Sequence, residues 1–519
     1  DTRFKEVNVG CEACHGPGAN HVALANEGKL ADAPASGFEL DLAQRGQWMY
    51  AEGADIARRR QALDGDTQID TCGRCHARRG VLDEPYEYGR PLADTHRVSS
   101  LGGGLYFPDG QILDEVYVYG SFVQSRMYQA GVTCSDCHDP HTAELVTGPD
   151  PNAVCAQCHS PAVFAAESHM GHAPDAAGCV DCHMAARTYM VVDDRRDHSF
   201  RIPRPDIAAQ TGSPLSCTDC HADESMEWAQ AAVAKYASED PDPGFAGALA
   251  AGASGYANPE LVGVVSNATF PGIARATAIE ALSPPFSERD LEVLVAALED
   301  PDPLVRLGAV ASLRSFPPAE KARFAAPLLA DPVKSVRIDA AFAFADTVDF
   351  LDAGARRAFD KAAAEFRRSR LMTASQADSL LSLAAFEARV GNRETAHSAF
   401  ERALYVEPGW SVARMNFADF LREEGDDIRG EQLLRDGLAL NPGDAMLHHA
   451  LGLLLVRSGR TGKALESLAT AARLEPSNAR FSYVLGVAQN SMGRSDDAAI
   501  TLAAAYETHP GSFDIAWAY

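Results

Sequence analysis

Apolar positions in the second half of the chain recur with a helical period, and they do so in blocks of two lengths. From about residue 266 to 350 the segments "GIARATAIEAL", "PLVRLGAVASL" and "KSVRIDAAFAF" align, with Arg275, Arg306 and Arg337 spaced 31 residues apart. Asp300-Pro301 and Asp331-Pro332 precede the second and third copies as helix-breaking turns. From about residue 377 the spacing becomes 34, marked by Pro408, Pro442, Pro476 and Pro510. Gly391, Gly425, Gly459 and Gly493 recur at the turn between two helices, and Ala396, Ala464 and Ala498 recur where the second helix packs closely on the first. Leu451-Gly452 and Leu485-Gly486 fall at the small-residue step of the first helix. Both periods predict stacked helix pairs, and a further copy starting at "SFDIAWAY" exposes the apolar face of the array there.

Residues 1–225 read differently. They are rich in Gly, Pro and Asp and hold few long periodic stretches; only "GQILDEVYVYGSF" at 110 to 122, alternating at Val116 and Val118, predicts a strand or hairpin. Residues 226–265 form a helical transition, with a helix in "SMEWAQAAVAKYA" and then the small-residue segment "EDPDPGFAGALAAGASGYANPE". Residues 266–370, the 31-residue array, resemble HEAT repeats, and residues 371–519 resemble tetratricopeptide repeats, with four copies in constant register. The predicted fold class is mainly α: an amino-terminal domain of short helices and loops followed by an α-solenoid.

At 519 residues the chain exceeds what one hydrophobic core organises. It has no run of eighteen apolar residues, so no transmembrane helix is expected. It starts at Asp1 without a leader, as a mature or trimmed product of a longer precursor would. The formal net charge of −26 argues against nucleic acid as a partner, because phosphate binding needs clustered Lys and Arg.

The cysteines carry the chemistry. All 12 fall in the first 220 residues, as the pairs Cys11 and Cys14, Cys72 and Cys75, Cys134 and Cys137, Cys155 and Cys158, Cys179 and Cys182, and Cys217 and Cys220. Each pair is spaced C-x-x-C and is followed at once by a histidine: His15, His76, His138, His159, His183 and His221. Zinc or a redox dithiol needs no histidine fixed at the fifth position. Covalent haem attachment does: two thiols add across the porphyrin vinyl groups and the adjoining histidine ligates the iron. Six covalently attached haem c groups are therefore predicted, with the six histidines as proximal ligands. Successive motifs start 61, 62, 21, 24 and 38 residues apart, which places the third to fifth as neighbours.

The same region holds six further histidines, His21, His96, His141, His169, His172 and His198, the number needed to ligate the far side of every iron. The remaining four, His397, His448, His449 and His509, read as solenoid residues. Methionine is the competing distal ligand, but Met49, Met127, Met170, Met184 and Met190 read as gap-fillers. Arg74 in "CGRCH" and "RTYM" at 187 to 190 read as propionate partners or packing residues, with an active pocket as the alternative.

"VNVGCEACHGPGANH", "DGQILDEVYVYGSFVQSRMYQAGVTCSDCHDPH" and "CVDCHMAARTYMVVDDRRDHSFRIPRPD" resemble the bacterial multihaem c-type cytochromes related to the tetrahaem electron carrier of hydroxylamine oxidation, in the large variants that also carry tetratricopeptide repeats. The resemblance implies haem ligation at the positions named and an electron-transfer role; haem c attachment implies a periplasmic or extracellular location. The leading expectation is an exported electron-transfer protein whose solenoid docks redox partner proteins or further copies of itself. One alternative is a subunit of an extracellular cytochrome filament with haems continuous across subunits. Another is a multihaem oxidoreductase acting on a small nitrogen or sulfur compound; no C-x-x-C-K motif of the known nitrite reductases occurs.

Overall fold

The computed structural model describes residues 9–43, 45–173, 176–236, 244–253 and 258–519. The chain is mainly helical and forms two compact units, Asp1–Phe366 and Arg367–Tyr519. Parts of "VNVGCEACHGPGANH", of "SMEWAQAAVAKYA" and of the small-residue segment after it lie outside the described residues.

In the first unit the CXXCH segments form single helical turns: Glu12–His15, the end of Thr67–His76, Cys134–Cys137, a 3-10 turn at Cys155–Gln157, Cys179–His183 and Cys217–Cys220. The reason is local. Positions i, i+3 and i+4 of a helix share one face, so a single turn sets both thiols and the imidazole on the same side. Between the turns lie four two-stranded antiparallel hairpins, Trp48–Met49 with Arg58–Arg59, Arg79–Val81 with His96–Val98, His138–Asp139 with Glu144–Leu145, and Ala186–Tyr189 with Asp193–Arg196. Their strands are two to four residues long, too short to leave a period in the sequence.

The strand expected within 110–122 does not form. Val116 is buried at 1% exposure, but Tyr117 takes φ 60, which breaks the alternation, and a helix begins at Tyr119–Val123. Isolated bridges from Ile112 to Tyr106 and from Tyr117 to Ala77, with bonds from Leu113 N–H to the Leu105 carbonyl and from Val118 N–H to the His76 carbonyl, replace a ladder. A strand needs a partner along its length, and here the neighbouring segment is the end of a motif helix.

The 31-residue array completes this unit. Helices Gly272–Ala281, Pro303–Ser312 and Lys334–Phe344 stack, and the recurring arginines tie them together. Arg306 donates through Nη1 to the carbonyls of Asp300 and Pro301 at its own turn, and through Nε and Nη2 to both oxygens of Asp331 at the next (2.8 and 3.0 Å). Arg337 repeats this with Asp331, Pro332 and Glu365, and Arg275 reaches Asp300. The Asp-Pro turns thus break the helices and also supply the acceptors that hold them in register.

The haem-motif region is fixed to this array by polar bonds. Lys334 Nζ donates to Asp83 (2.6 Å), Lys334 N–H to Asp94 (3.0 Å), Arg97 to Asp339 (2.7 Å), Ser100 to Glu280 (2.6 Å), and Leu101 N–H to the Thr277 hydroxyl (3.0 Å). Four of the five use charged groups, and several are half-buried, which strengthens them relative to exposed pairs.

The second unit is four helix pairs: Ala377–Arg389 with Arg393–Val406, Ser411–Glu423 with Asp427–Leu440, Ala445–Arg457 with Thr461–Leu474, and Ala479–Ser491 with Ser495–Thr508. Gly391, Gly425, Gly459 and Gly493 take φ 87, 81, 71 and 76 at the intervening turns, a conformation open to glycine. A Cβ on Gly452 or Gly486 would stand 2.6 Å from Leu468 or Leu502, so the small residue is demanded by helix approach. A last helix, Phe513–Ala518, leaves Phe513 and Trp517 largely exposed.

Candidate haem-iron sites

Four motif histidines face a second imidazole. His15 lies parallel to His141, with ring centres 6.2 Å apart and planes 10° apart; His138 faces His198 at 6.3 Å, His183 faces His169 at 6.2 Å, and His221 faces His172 at 6.0 Å. Every pair joins one motif histidine to one of the six spare histidines. An iron between two imidazoles sits about 2 Å from each nitrogen, and each nitrogen lies about 1 Å from its ring centre, so bridged rings stand about 6 Å apart. The four separations fit that requirement, whereas a packing contact such as His21 on Phe38 closes to 4.2 Å.

Backbone carbonyls set the ring orientations. His183 Nδ1 bonds the Arg201 carbonyl (2.8 Å), His198 Nδ1 the Arg196 carbonyl (2.9 Å) and His21 Nδ1 the Ser36 carbonyl (2.7 Å). A carbonyl only accepts, so each Nδ1 carries the proton and Nε2 is left as a lone-pair donor, the tautomer an iron ligand needs. Burial pushes the imidazoles of His138, His159, His183 and His198 below their ordinary value, which keeps them neutral. His96, buried on its strand beside Arg79 and Arg74, is pushed down to about 4, and its Nδ1 bonds the Thr95 hydroxyl.

His76, His159, His21 and His96 face no second imidazole among the described residues. His159 has the edge of Phe164 at 5.1 Å, and Phe164 in turn packs on His169. None of the 12 cysteines is in a disulfide. Burial raises several, Cys137 to about 12 and Cys155 and Cys158 to about 11, and the Cys72 thiol hydrogen-bonds Cys134 across two motifs. Of the methionines, Met49 and Met190 are exposed, and the Met184 carbonyl accepts from Arg196.

Consecutive motifs are stitched to one another. Arg74 Nη1 donates to the Ala13 carbonyl (2.8 Å), Gln68 Nε2 to the Ser135 hydroxyl (2.9 Å), Gln157 Nε2 to the Asp136 carbonyl (3.2 Å), Val180 N–H to Asn152 Oδ1 (3.2 Å) and Ser216 Oγ to the Cys182 carbonyl (3.2 Å). Asp136, inside "CSDCH" and 7% exposed, is the hub of the third motif. It accepts from Gly46 N–H, Trp48 Nε1, Arg59 Nη1 and both the amide and hydroxyl of Thr133. Sequence reasoning passed over Asp136 and Gln68, although a legible signal existed: Asp precedes the second cysteine in three of the six motifs. Arg74 stacks on Tyr86 (4.0 Å) and Tyr88, and its buried Nε has no partner; the same holds for Nε of Arg79 and of Arg201. Three buried guanidinium edges without an acceptor are what anionic propionates would complete. In "RTYM" the Tyr189 hydroxyl donates to the Ile112 carbonyl (3.4 Å) and Arg187 lies over Phe107, so both pack.

Comparison with known proteins agrees with both halves. A doubled CXXCH motif model matches residues 127–164, spanning the third and fourth motifs, and indicates covalent haem c binding there. A tetratricopeptide repeat model matches residues 449–513, the kind of array that commonly mediates protein–protein contact. No curated protein matches the chain. Among solved structures, TTC0263, a thermophilic TPR protein in Thermus thermophilus, is 25% identical over 30% of this chain and 87% of its own (TM-score 0.26). MamA 41-end from Desulfovibrio magneticus RS-1 is 16% identical over 38% and 97% (TM-score 0.26), and YrrB, a TPR protein with an unusual peptide-binding site, 17% over 37% and 98% (TM-score 0.25). No described helix is long and apolar enough to cross a membrane.

Proposed function

We propose that the chain is an exported multihaem c-type cytochrome that carries six covalently bound haems and transfers electrons, with its helical repeats serving protein–protein interaction. The observation that carries this reading is the set of four histidine pairs, each a motif histidine opposite a spare one at the separation an iron requires. Bound haem supplies a one-electron couple whose potential follows its axial ligands and surroundings. The chain's own residues then have defined tasks. The twelve motif thiols would form the thioether links and the paired imidazoles would hold the iron, with the carbonyls of Arg201 and Arg196 leaving Nε2 of His183 and His198 as the donor atom. The unpartnered Nε atoms of Arg74, Arg79 and Arg201 would hydrogen-bond propionates in partly buried surroundings.

Two imidazole ligands on each iron would leave no place for a substrate, which favours conduction over catalysis at those four sites. The kinship with the tetrahaem carrier of hydroxylamine oxidation, and a periplasmic or extracellular location, belong to the same proposal. His76 and His159 give a second reading its specific support, because a motif histidine without an opposing imidazole leaves room for a small ligand or for a histidine from another copy, as in a filament.

Haem-to-protein stoichiometry together with the optical spectrum of the oxidised protein, before and after addition of nitrite, hydroxylamine or carbon monoxide to the reduced form, tests the proposal. Six haems and spectra that these molecules leave unchanged support the conduit. A strong ligand-induced shift moves the assignment to an oxidoreductase, and absence of covalent haem overturns both.

A further inference from the structure

Two of the joints between motifs are built alike. The first cysteine of the second motif meets the first cysteine of the third, with the Cys72 and Cys134 thiols hydrogen-bonded; Cys155 of the fourth motif meets Cys179 of the fifth in the same way. A side-chain amide shortly before the earlier motif secures each joint. Gln68 Oε1 accepts from Ser135 N–H (3.0 Å) and Asn152 Oδ1 accepts from Val180 N–H (3.2 Å), and both donors are the residue after the later motif's first cysteine. The later motif also starts alike in both joints. Its aspartate turns back on the residue that precedes the motif, Asp136 accepting from Thr133 N–H (2.8 Å) and Asp181 from Gly178 N–H (2.9 Å).

The histidines follow the same plan. His138 and His183, of the later motifs, face His198 and His169, while His76 and His159, of the earlier ones, face no second imidazole among the described residues. Each of those single imidazoles lies within electrostatic reach of both members of the neighbouring pair. Chain connection does not produce the likeness, since His169 lies between the fourth and fifth motifs whereas His198 follows the fifth. Other joints use a different bond: Arg74 and Gln157, each immediately before a second cysteine, donate to the carbonyls of Ala13 and Asp136 at the equivalent position of the preceding motif.

We propose that the second with the third, and the fourth with the fifth, attachment sites form two copies of one two-haem unit, held by Gln68 and Asn152 as equivalent positioning residues, with a singly ligated iron beside a doubly ligated one in each copy. The inference rests on the haem assignment above and goes beyond it, since six haems in any arrangement satisfy that assignment. Gly178 gives access to one copy alone. Its φ of −94 with ψ 169 suits any residue, yet a Cβ there would stand 2.5 Å from both Nδ2 and Oδ1 of Asn152 and push that amide aside.

The test uses the full-length holoprotein. Iron positions from anomalous diffraction are expected to give the same separation for the second and third irons as for the fourth and fifth, and electron paramagnetic resonance of the oxidised protein to show magnetic coupling within both pairs. Unequal separations, or coupling in one pair alone or in neither, overturn the proposal. Gly178→Ala and Asn152→Ala are expected to weaken coupling between the fourth and fifth irons and to leave that between the second and third unchanged; Gln68→Ala is expected to do the reverse. Asn152→Asp keeps the acceptor oxygen and is expected to retain the parent spectrum. Gly178→Ala and Asn152→Ala proteins that carry six haems with the parent's coupling overturn the positioning role. Intact mass separates the two levels: a parent without covalent haem refutes the functional assignment and this inference with it, whereas six haems with unlike pairs refute the inference alone.

Discussion

His15 and His141, far apart in sequence, lie with their rings nearly parallel, centres 6.2 Å and planes 10° apart. His141 is 79% exposed at its side chain, so packing against the protein does not account for its position. Under the proposed function, ligation across an iron would.

The exposure of His141 makes its removal a clean experiment. His141→Ala is expected to convert one haem from low-spin to high-spin while leaving thermal unfolding of the protein unchanged within about 0.5 kcal/mol, the usual range for surface substitutions. Electron paramagnetic resonance and calorimetry on the same sample check both halves. A spectrum identical to the parent's removes His141 from the ligand set.

Arg306 is the keystone of the 31-residue array. Its guanidinium is the bidentate partner of Asp331, which is 6% exposed, and Arg306→Ala strands that carboxylate without its partner. Breaking a buried pair on one side costs about 3–5 kcal/mol. Urea unfolding of the first unit, followed by its haem absorbance, is expected to shift by that amount; Arg306→Lys recovers part of it because a point charge cannot reproduce the fork.

In the second unit, two glycine substitutions separate two kinds of strain. Gly452→Ala drives a Cβ to 2.6 Å from Leu468 and is expected to cost about 1–3 kcal/mol by overpacking. Gly391→Ala meets open space but holds φ 87, and is expected to cost about 1–2 kcal/mol through backbone conformation alone. Replacing Leu468 by Ala in the Gly452→Ala background relieves the first penalty and leaves the second untouched, as chemical unfolding of the double variants reads out.

His449 gives the second unit an acid sensitivity. It is buried at 7% exposure against Phe481, neither ring nitrogen has a partner, and burial with the nearby Arg480 pushes its imidazole below the ordinary 6.5. The unfolded chain therefore binds a proton at a pH where the folded one does not, so stability is full above about 6.5 and falls as the pH drops below it. His449→Leu removes the two unpaired nitrogens and is expected to flatten that fall, with stability at pH 7.5 not reduced. An unchanged acid slope in unfolding curves between pH 7.5 and 5 contradicts the assignment.

How much of this was legible in the sequence differs by element. The 34-residue array was readable because each copy repeats a glycine with positive φ and a small residue at the helix crossing, requirements that recur in every helix pair. The CXXCH motifs announced their chemistry because both thiols and the imidazole must share one turn. The hairpins escaped notice, and the strand at 110–122 was misread, because two to four residues of alternation are too few to outweigh a single left-handed residue such as Tyr117. The spare histidines were countable, yet their partners were not: His172 with His221 and His141 with His15 depend on how separate turns pack, which no local pattern encodes. The same holds for the bonds from Asp83, Asp94 and Arg97 to Lys334 and Asp339, which join segments widely separated in the chain.

The central claim is that the paired imidazoles hold iron from both sides. Quantitative electron paramagnetic resonance of the oxidised full-length protein, normalised to total haem, tests it most directly. The account predicts at least four low-spin irons per chain, with any high-spin signal confined to the sites of His76 and His159. Three or more high-spin irons per chain, or a chain without haem iron, would contradict it.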